Sequence, residues 1–191
     1  VMQEFIDKTN GKEAMRRTHN HAKKGRALGL GVMGWHTFLQ KKNLPFTSIA
    51  STAWTHTIMS KVKMEAEAAS RKLAVEYGEP LWCKGTGMRN THVMAIAPTV
   101  SNSRISGCSA GIEPQPANVY TFNGAKGTFI VKNKELEKLL TERGFNTEKV
   151  WDQILVDGGS VQQLSNKILP EEDKEVFLTF AETNQLALVQ Q

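Results

Sequence analysis

The sequence has little cysteine, few aromatic side chains and no long apolar run. Its 191 residues include two cysteines and 7% aromatic residues. Cys83 and Cys108 are too few for a disulfide scaffold, and their scarcity fits a reducing cytoplasm. The longest purely apolar stretches, such as residues 93–97, span only a few positions, whereas a membrane-spanning helix needs about 20. We therefore predict a cytoplasmic chain with neither a disulfide framework nor a membrane span.

The amino-terminal residues also lack the pattern of a secretory signal. Glu4 and Asp7 stand where a signal would need a basic start and an apolar centre. The excess of Lys and Arg gives a net charge of +5, a mild bias that favours anionic partners only weakly. The chain does not begin with Met, and it opens and closes in segments with helical patterns. We therefore expect a fragment of a longer globular protein.

Apolar periodicity and stop signals predict a helix-rich chain with few strands. The predicted helices cover residues 1–6, 12–25, 34–42, 48–77, 134–143 and 147–156, with a last one starting at Pro170. The apolar run at residues 27–33 is predicted to be a buried strand or the start of a helix. The run at residues 91–97 is predicted to be a buried strand typical of a parallel sheet. A glycine-containing turn at 123–127 between residues 120–122 and 128–131 predicts a β-hairpin.

The longest predicted helix carries an apolar stripe. Trp54, Ile58, Val62, Ala69, Leu73 and Tyr77 recur at intervals of about four residues or multiples of it. We expect these side chains to form the buried face of the helix. Thr47 or Ser48 is the predicted N-cap, and Gly78 with Pro80 ends the helix.

A glycine motif runs from Gly29 to Gly34 and matches the pattern G-x-G-x-x-G. In dinucleotide-binding proteins such glycines let the backbone approach a pyrophosphate at a helix N-terminus. The context here is poor, because the preceding residues 23–26 are polar and the next acidic residue after the motif is Glu65. Two interpretations stay open: an oxidoreductase that binds a nicotinamide dinucleotide through Gly29–Gly34, or glycines that allow a strand to pack closely against a helix.

A hydroxyl-rich segment follows the second predicted strand and consists of Pro98, Thr99, Val100, Ser101, Asn102 and Ser103. We expect a short helix at residues 104–110 directly after it. Hydroxyls and backbone N–H groups before a helix can bind phosphate oxygens. The segment lacks the lysine of a Walker loop, so such binding would depend on amide dipoles and hydroxyl groups. The alternative is a capped turn in which Ser101 or Ser103 is the N-cap.

The remaining polar features are less specific. The basic run from Arg16 to Arg26 could belong to a nucleic-acid-binding module, but no aromatic residue is interleaved for base stacking, and a solvated face is more typical. His19 and His21 have no cysteine or acidic partner nearby to complete a metal set. Isolated cysteines are more often small buried apolar residues than nucleophiles. We predict no catalytic residue and no metal ligand in this chain.

Four segments, taken in order, resemble the large catalytic subunit of class I ribonucleotide reductase. They are Arg26–Gly34, Ala97–Ser103, Gly111–Pro114, and Asn118–Thr121 with Gly127–Asn133. Their order and spacing over most of the chain make the resemblance specific, although no single motif would. The resemblance implies an α/β fold, and residues 1–191 would form a later portion of the family's ten-stranded α/β barrel domain. It also implies reduction of ribonucleoside diphosphates to deoxyribonucleoside diphosphates by radical chemistry.

The resemblance assigns one function to residues of this chain, the holding of the substrate diphosphate. The residues it assigns are Pro98, Thr99, Val100, Ser101, Asn102 and Ser103. Pro98 would set the turn, and Val100 and Asn102, at variable positions of the motif, would contribute backbone N–H groups. A neutral set of donors can bind an anion without a cation and orient the ribose.

The resemblance places the other functional parts outside this chain. The radical cysteine, the redox-active cysteine partners and the sites for ATP- and dATP-type effectors would lie before Val1, and the radical-transfer tyrosines and C-terminal thiols after Gln191. The expected partners are the remainder of the large subunit and a small subunit with a diiron or dimanganese radical site. Thioredoxin or glutaredoxin would be the dithiol reductant. On this reading the isolated chain is inactive and binds neither nucleic acid nor membrane.

Overall fold

The computed structural model describes residues 1–124 and 127–190, which form two compact units. The first unit comprises Val1–Gly31 and His56–Ala97, and the second comprises Val32–Thr55 and the described residues from Pro98 onward. The helices are α1 (Met2–Thr9), α2 (Arg16–Gly25), α3 (Trp35–Lys41), α4 (Ile49–Tyr77), α5 (Val100–Ser106), α6 (Lys134–Glu142), α7 (Glu148–Val156), α8 (Glu171–Val176) and α9 (Gln185–Gln190). The strands are β1 (Val119–Gly124) and β2 (Gly127–Lys132), and short 3₁₀ turns cover Glu13–Met15 and Leu81–Cys83. Among the described helices, none combines the length and apolar composition that a bilayer span requires.

In the first unit, α2 ends at Gly25 as predicted but begins at Arg16, because a 3₁₀ turn occupies Glu13–Met15. The residue that takes the left-handed conformation after the helix is Arg26, with φ +48°. A Cβ atom on Gly25 would lie 2.7 Å from the ring of Trp82. The glycine is therefore needed for close packing of α2 on the indole, and Arg26 carries the strained backbone of the cap.

The two apolar runs predicted as strands do run parallel, but over a single bridge. Leu30 pairs with Met94, and the Ala95 N–H donates to the Leu30 carbonyl oxygen at 3.1 Å. The predicted burial is wrong, because Leu30 is 52% and Ile96 is 76% exposed. The side chains of Leu30 and Ile96 are therefore open to solvent, whereas Val93 and Met94 are half-buried.

The long helix α4 begins at the predicted cap, because the Ser48 hydroxyl accepts a hydrogen bond from the Ser51 N–H at 3.1 Å. The predicted buried face is wrong along most of the helix, because Trp54 and Tyr77 are 39% and 60% exposed and Ala69 is exposed. Leu73 is 38% exposed, whereas Ser70 and Ala74 are buried. The buried face is set by a polar contact, since the Ser70 hydroxyl donates to the Asn90 side chain at 2.8 Å.

The second unit contains the larger apolar core. Its buried members are Val119, Leu136, Leu140, Val150, Trp151, Ile154, Val161, Leu164, Leu169, Val176 and Phe177. They come from β1, α6, α7, α8 and the connections between them. The apolar faces of α6 and α7 thus pack into one cluster. Each of these two helices begins at a residue whose side chain caps it. Thr147 caps α7 by accepting from the Val150 N–H, and Asn133 caps α6 by accepting from the Glu135 N–H.

The predicted β-hairpin is confirmed. β1 and β2 pair antiparallel, with Tyr120 opposite Val131 and Phe122 opposite Phe129. Of the predicted turn, Ala125 and Lys126 lie outside the described residues. The start of the hairpin is anchored by Asn118, which is 2% exposed and whose amide donates to the Phe177 carbonyl oxygen at 2.8 Å.

His36 in α3 is a buried and neutral imidazole of the second unit. It is 1% exposed, its Nδ1 accepts from the Gln115 N–H at 2.9 Å, and its Nε2 lies 3.3 Å from the Val176 carbonyl oxygen. Burial lowers the pKa of His36 from 6.5 to about 4, against a smaller raising effect of the Val176 carbonyl. An imidazole with Nε2 protonated and Nδ1 free satisfies both backbone contacts.

We expect acid to weaken the second unit through His36. Between pH 6.5 and 4 the unfolded chain binds a proton that the folded chain does not, so the stability present above pH 6.5 falls as the pH falls. From pH 7 to pH 5 the loss attributable to this group is about 2 kcal/mol. Urea unfolding at both pH values measures it. The variant His36→Gln should lose this pH dependence of the unfolding free energy, whereas the control His56→Gln, at an exposed histidine, should keep it. An equal change in unfolding free energy between pH 7 and pH 5 in the two variants would contradict the assignment to His36.

Candidate functional site

The hydroxyl-rich segment forms the start of α5. The expected helix at residues 104–110 is wrong at both ends, because α5 begins at Val100 and ends at Ser106. Thr99 is the residue before the helix and has a left-handed backbone, with φ +45°. Gly107 follows the helix with φ +67°, which is the conformation that ends helices at glycine. Gly107 is a helix stop signal inside the predicted range 104–110, which is why that range is wrong.

Three backbone N–H groups of this segment have no acceptor within α5. The first hydrogen bond of the helix is donated by the Ser103 N–H to the Thr99 carbonyl oxygen at 2.9 Å. The N–H groups of Val100, Ser101 and Asn102 lie ahead of it, in the turn that an α-helix leaves unpaired. All three residues are exposed. These amides can therefore donate to an anion, and the helix dipole favours negative charge at the same place.

The hydroxyl groups of the segment differ in their surroundings. Ser103 is buried and its hydroxyl donates to the Val100 carbonyl oxygen at 3.0 Å, which holds the first turn together. The Thr99 hydroxyl accepts from the Gly111 N–H at 2.8 Å and keeps its own proton for donation. Ser101 is exposed. Only Thr99 and Ser101 thus offer a hydroxyl proton outward, and neither alternative N-cap, Ser101 or Ser103, is used.

Two buried residues, Thr37 of α3 and Ser109 of the segment after α5, bind each other. The Thr37 N–H donates to the Ser109 hydroxyl at 3.2 Å, and the Ser109 N–H donates to the Thr37 hydroxyl at 2.8 Å. The Gly34 N–H also donates to the Ser109 carbonyl oxygen at 2.8 Å. Thr37 and Ser109 are 7% and 3% exposed. This pair could not be found from the sequence, because no local pattern connects residues 72 positions apart.

A cavity of about 240 Å³ lies beside α5 in the second unit. Its wall contains the cationic side chains of Arg104, Lys132 and Lys134 and one carboxylate, Glu135. The Arg104 guanidinium lies 4.6 Å from the centre of the Phe122 ring. The wall is therefore positively charged and partly aromatic.

The environment of Cys83 does not activate its thiol. Cys83 is buried, and burial followed by the charge of Glu79 raises the pKa of its thiol. A raised pKa keeps the thiol protonated, which is opposite to what a nucleophilic cysteine requires. Cys108 is half-buried beside Gly34, whose Cβ would lie 3.2 Å from the Cys108 sulfur.

The glycine motif is used for packing. A Cβ atom on Gly29 would lie 2.9 Å from the Ala95 Cβ, and one on Gly31 would collide with the Ala95 carbonyl oxygen. Ala95 therefore occupies the space next to both glycines that a pyrophosphate would need. Gly34 has φ +81° and precedes α3. These contacts favour the packing interpretation over a dinucleotide site.

The basic run lies mostly on α2, with its lysines and arginines exposed or partly so. His19 is buried, with Nδ1 3.1 Å from the Thr9 hydroxyl, and the Arg26 guanidinium donates to the Gln3 side chain at 2.6 Å. His19 of α2 and Arg26, the residue after α2, thus both contact α1. Within residues 1–124 and 127–190 there is no group of three or more His, Cys, Asp or Glu side chains that could hold a metal ion.

Comparison with known proteins gives consistent matches. A family model described as the ribonucleotide reductase barrel domain matches residues 1–82 and 82–191. The ribonucleoside-diphosphate reductase large subunit of Invertebrate iridescent virus 6 is 39% identical over 185 residues, which cover 95% of this chain and 19% of that protein. The corresponding large subunit of Invertebrate iridescent virus 3 is 36% identical over 99% of this chain and 30% of its own length.

A solved structure agrees with these matches. The alpha subunit of the Actinobacillus ureae class Id ribonucleotide reductase is 43% identical in sequence and superposes with a TM-score of 0.88. The match covers 99% of this chain and 34% of that subunit. The chain therefore spans about a third or less of the length of these relatives.

Proposed function

Because the chain belongs to the family of ribonucleotide reductase barrel domains, we propose that it is part of a ribonucleoside-diphosphate reductase large subunit. The complete subunit would reduce ribonucleoside diphosphates to deoxyribonucleoside diphosphates by radical chemistry. Residues 1–191 would form a portion of one barrel domain in the cytoplasm. The observation that carries the proposal is the family match over the whole chain.

In this function the hydroxyl-rich segment holds the substrate diphosphate. The N–H groups of Val100, Ser101 and Asn102 and the hydroxyls of Thr99 and Ser101 are the donors, while Ser103 holds the first turn of α5 in place. A hydrogen bond to a charged group is worth about 1.5–3 kcal/mol, so a few such bonds suffice to fix a diphosphate. Pro98 precedes the turn and restricts the chain entering it. The bound diphosphate then orients the ribose for reaction.

The radical source, the reductant and the effectors would come from outside these residues. We propose a small subunit with a diiron or dimanganese site as the radical-generating partner, with thioredoxin or glutaredoxin as the dithiol reductant. The radical cysteine and the ATP- and dATP-type effector sites would belong to other parts of the large subunit.

Complementation tests the proposal. This chain is mixed with the remainder of the large subunit, the small subunit and a dithiol reductant, and the formation of deoxyribonucleoside diphosphate is followed. We expect turnover that requires this chain. If no deoxyribonucleoside diphosphate forms while an intact large subunit is active in the same assay, the proposal that this chain is a functional part of the enzyme is contradicted.

A further inference from the structure

We propose that Thr37 and Ser109 are positioning residues for the binding of the substrate diphosphate. The inference rests on the proposed function, because it assigns to this buried pair the task of keeping the amides of the hydroxyl-rich segment aimed at the anion. Neither side chain belongs to that segment. Both act through Gly111 and Thr99.

The first step is the unusual backbone of Thr99. A β-branched residue with a left-handed backbone, here at φ +45°, is disfavoured and persists only where surrounding contacts determine it. The direction of the following amides depends on this residue, because Thr99 is the last residue before α5. If Thr99 relaxed to a negative φ, α5 would rotate relative to Pro98, and the N–H groups of Val100, Ser101 and Asn102 would change direction with it.

The second step is the contact that holds Thr99. Its hydroxyl accepts from the Gly111 N–H at 2.8 Å. Gly111 is itself left-handed, with φ +49°, and is buried. The turn before it must therefore be fixed, or the Gly111 N–H would not stay in reach of Thr99.

The third step is the pair that fixes this turn. Thr37 and Ser109 exchange two hydrogen bonds, each using one backbone N–H and one hydroxyl, and thereby bind the turn to the first residues of α3. Two reciprocal bonds define both the distance and the rotation of the turn, which a single bond would not. The Gly34 N–H bond to the Ser109 carbonyl oxygen adds a third fixed point on the same helix start. The connection thus runs from α3 through Ser109 and Gly111 to Thr99 and the three amides.

Loss of the hydrogen bonds between Thr37 and Ser109 should weaken substrate binding more than it slows the chemical step. The diphosphate is held by these amides, whereas the reacting groups of the proposed reaction lie elsewhere in the subunit. Misaligned donors give up affinity for the anion. The expected signature is an increase in KM with little change in kcat.

The test uses the complete large subunit that contains this chain, assayed with its small subunit and a dithiol reductant. Thr37→Val keeps the shape of the side chain and removes the hydroxyl that accepts from Ser109. We expect KM for the ribonucleoside diphosphate to rise about tenfold, the consequence of donors to a charged group losing their alignment, with kcat within about twofold. Thr37→Ser restores the hydroxyl and should restore KM. Ser109→Ala is the second variant, which keeps the test decisive if Thr37→Val does not fold.

Ser70→Ala is the matched control. Ser70 is also a buried hydroxyl that donates to a side chain and accepts from backbone N–H groups, but it lies in the first unit. It should lower the midpoint of thermal unfolding and leave KM unchanged. If Thr37→Val and Ser109→Ala behave like Ser70→Ala while a charge placed at Ser101 still raises KM, the positioning role is overturned and the proposed function stands. If none of these variants changes KM, the proposed diphosphate site is overturned as well.

Discussion

Replacing Ser101 with Asp should raise KM for the ribonucleoside diphosphate on the order of a hundredfold, as expected from a unit charge about 5 Å from the anion at an effective dielectric constant of about 20. Ser101 is exposed at the start of α5, in the turn whose N–H groups we propose as diphosphate donors. A carboxylate there competes for the same amides and repels the incoming diphosphate. The helix itself should not suffer, because an acidic side chain in a first turn contributes about 0.3–1 kcal/mol of stability. Loss of binding and gain of stability are thus expected from one substitution.

The measurement is steady-state kinetics in the complete large subunit, with thermal unfolding of the same protein. Ser101→Asn is the matched control, since it adds a side chain of the same size without the charge and should change KM only a fewfold. The difference between the two variants should shrink as salt is added, because ions screen exposed charges. Equal KM values for Ser101→Asp and the unchanged protein would remove Ser101 from the diphosphate site.

Substituting the two packed glycines should destabilise the chain in ways that can be told apart. Gly29→Ala brings two Cβ atoms together, because the new Cβ would lie 2.9 Å from that of Ala95. Gly31→Ala instead drives a Cβ into the Ala95 carbonyl oxygen, which is backbone and cannot be removed by substitution. We expect each variant to lose about 2–3 kcal/mol of unfolding free energy, the usual cost of overpacking.

A second substitution at Ala95 separates the two cases. Ala95→Gly removes the Cβ that opposes Gly29, so Gly29→Ala in that background should recover most of the loss. Gly31→Ala should not recover, because the Ala95 carbonyl oxygen is still present. Urea unfolding of the three single and two paired variants gives the two coupling energies. Unchanged stability in Gly29→Ala and Gly31→Ala would show that these glycines are not required for packing.

The local elements were largely predictable from the sequence, and the reason is that short-range chemistry decides them. Thr147 and Ser48 begin helices because their hydroxyls accept from nearby N–H groups. The hairpin follows from two apolar segments around a glycine-containing turn. The predictions were wrong where a contact between residues distant in sequence determined which local arrangement forms. The buried face of α4 follows Ser70, and that choice depends on Asn90, which lies 20 positions away.

The candidate site shows the same division. The segment Pro98–Ser103 could be found from its hydroxyl-rich composition and its resemblance to a family motif. That α5 already begins at Val100, with Thr99 left-handed before it, could not be predicted, because this backbone is held by Gly111. The three amides are available because the helix starts within the motif and not after it.

By itself the sequence determined most of the helical segments, the starts of α4 and α7, the hairpin and the segment to examine for phosphate binding. These depend on residues within a few positions of one another or on composition. Only the tertiary structure decided that Gly29 and Gly31 make room for Ala95, that His36 is buried and neutral, and that Thr37 meets Ser109. Each of these features depends on contacts between residues that are far apart in the sequence, and the spacing of residues along the chain does not show which of them will meet.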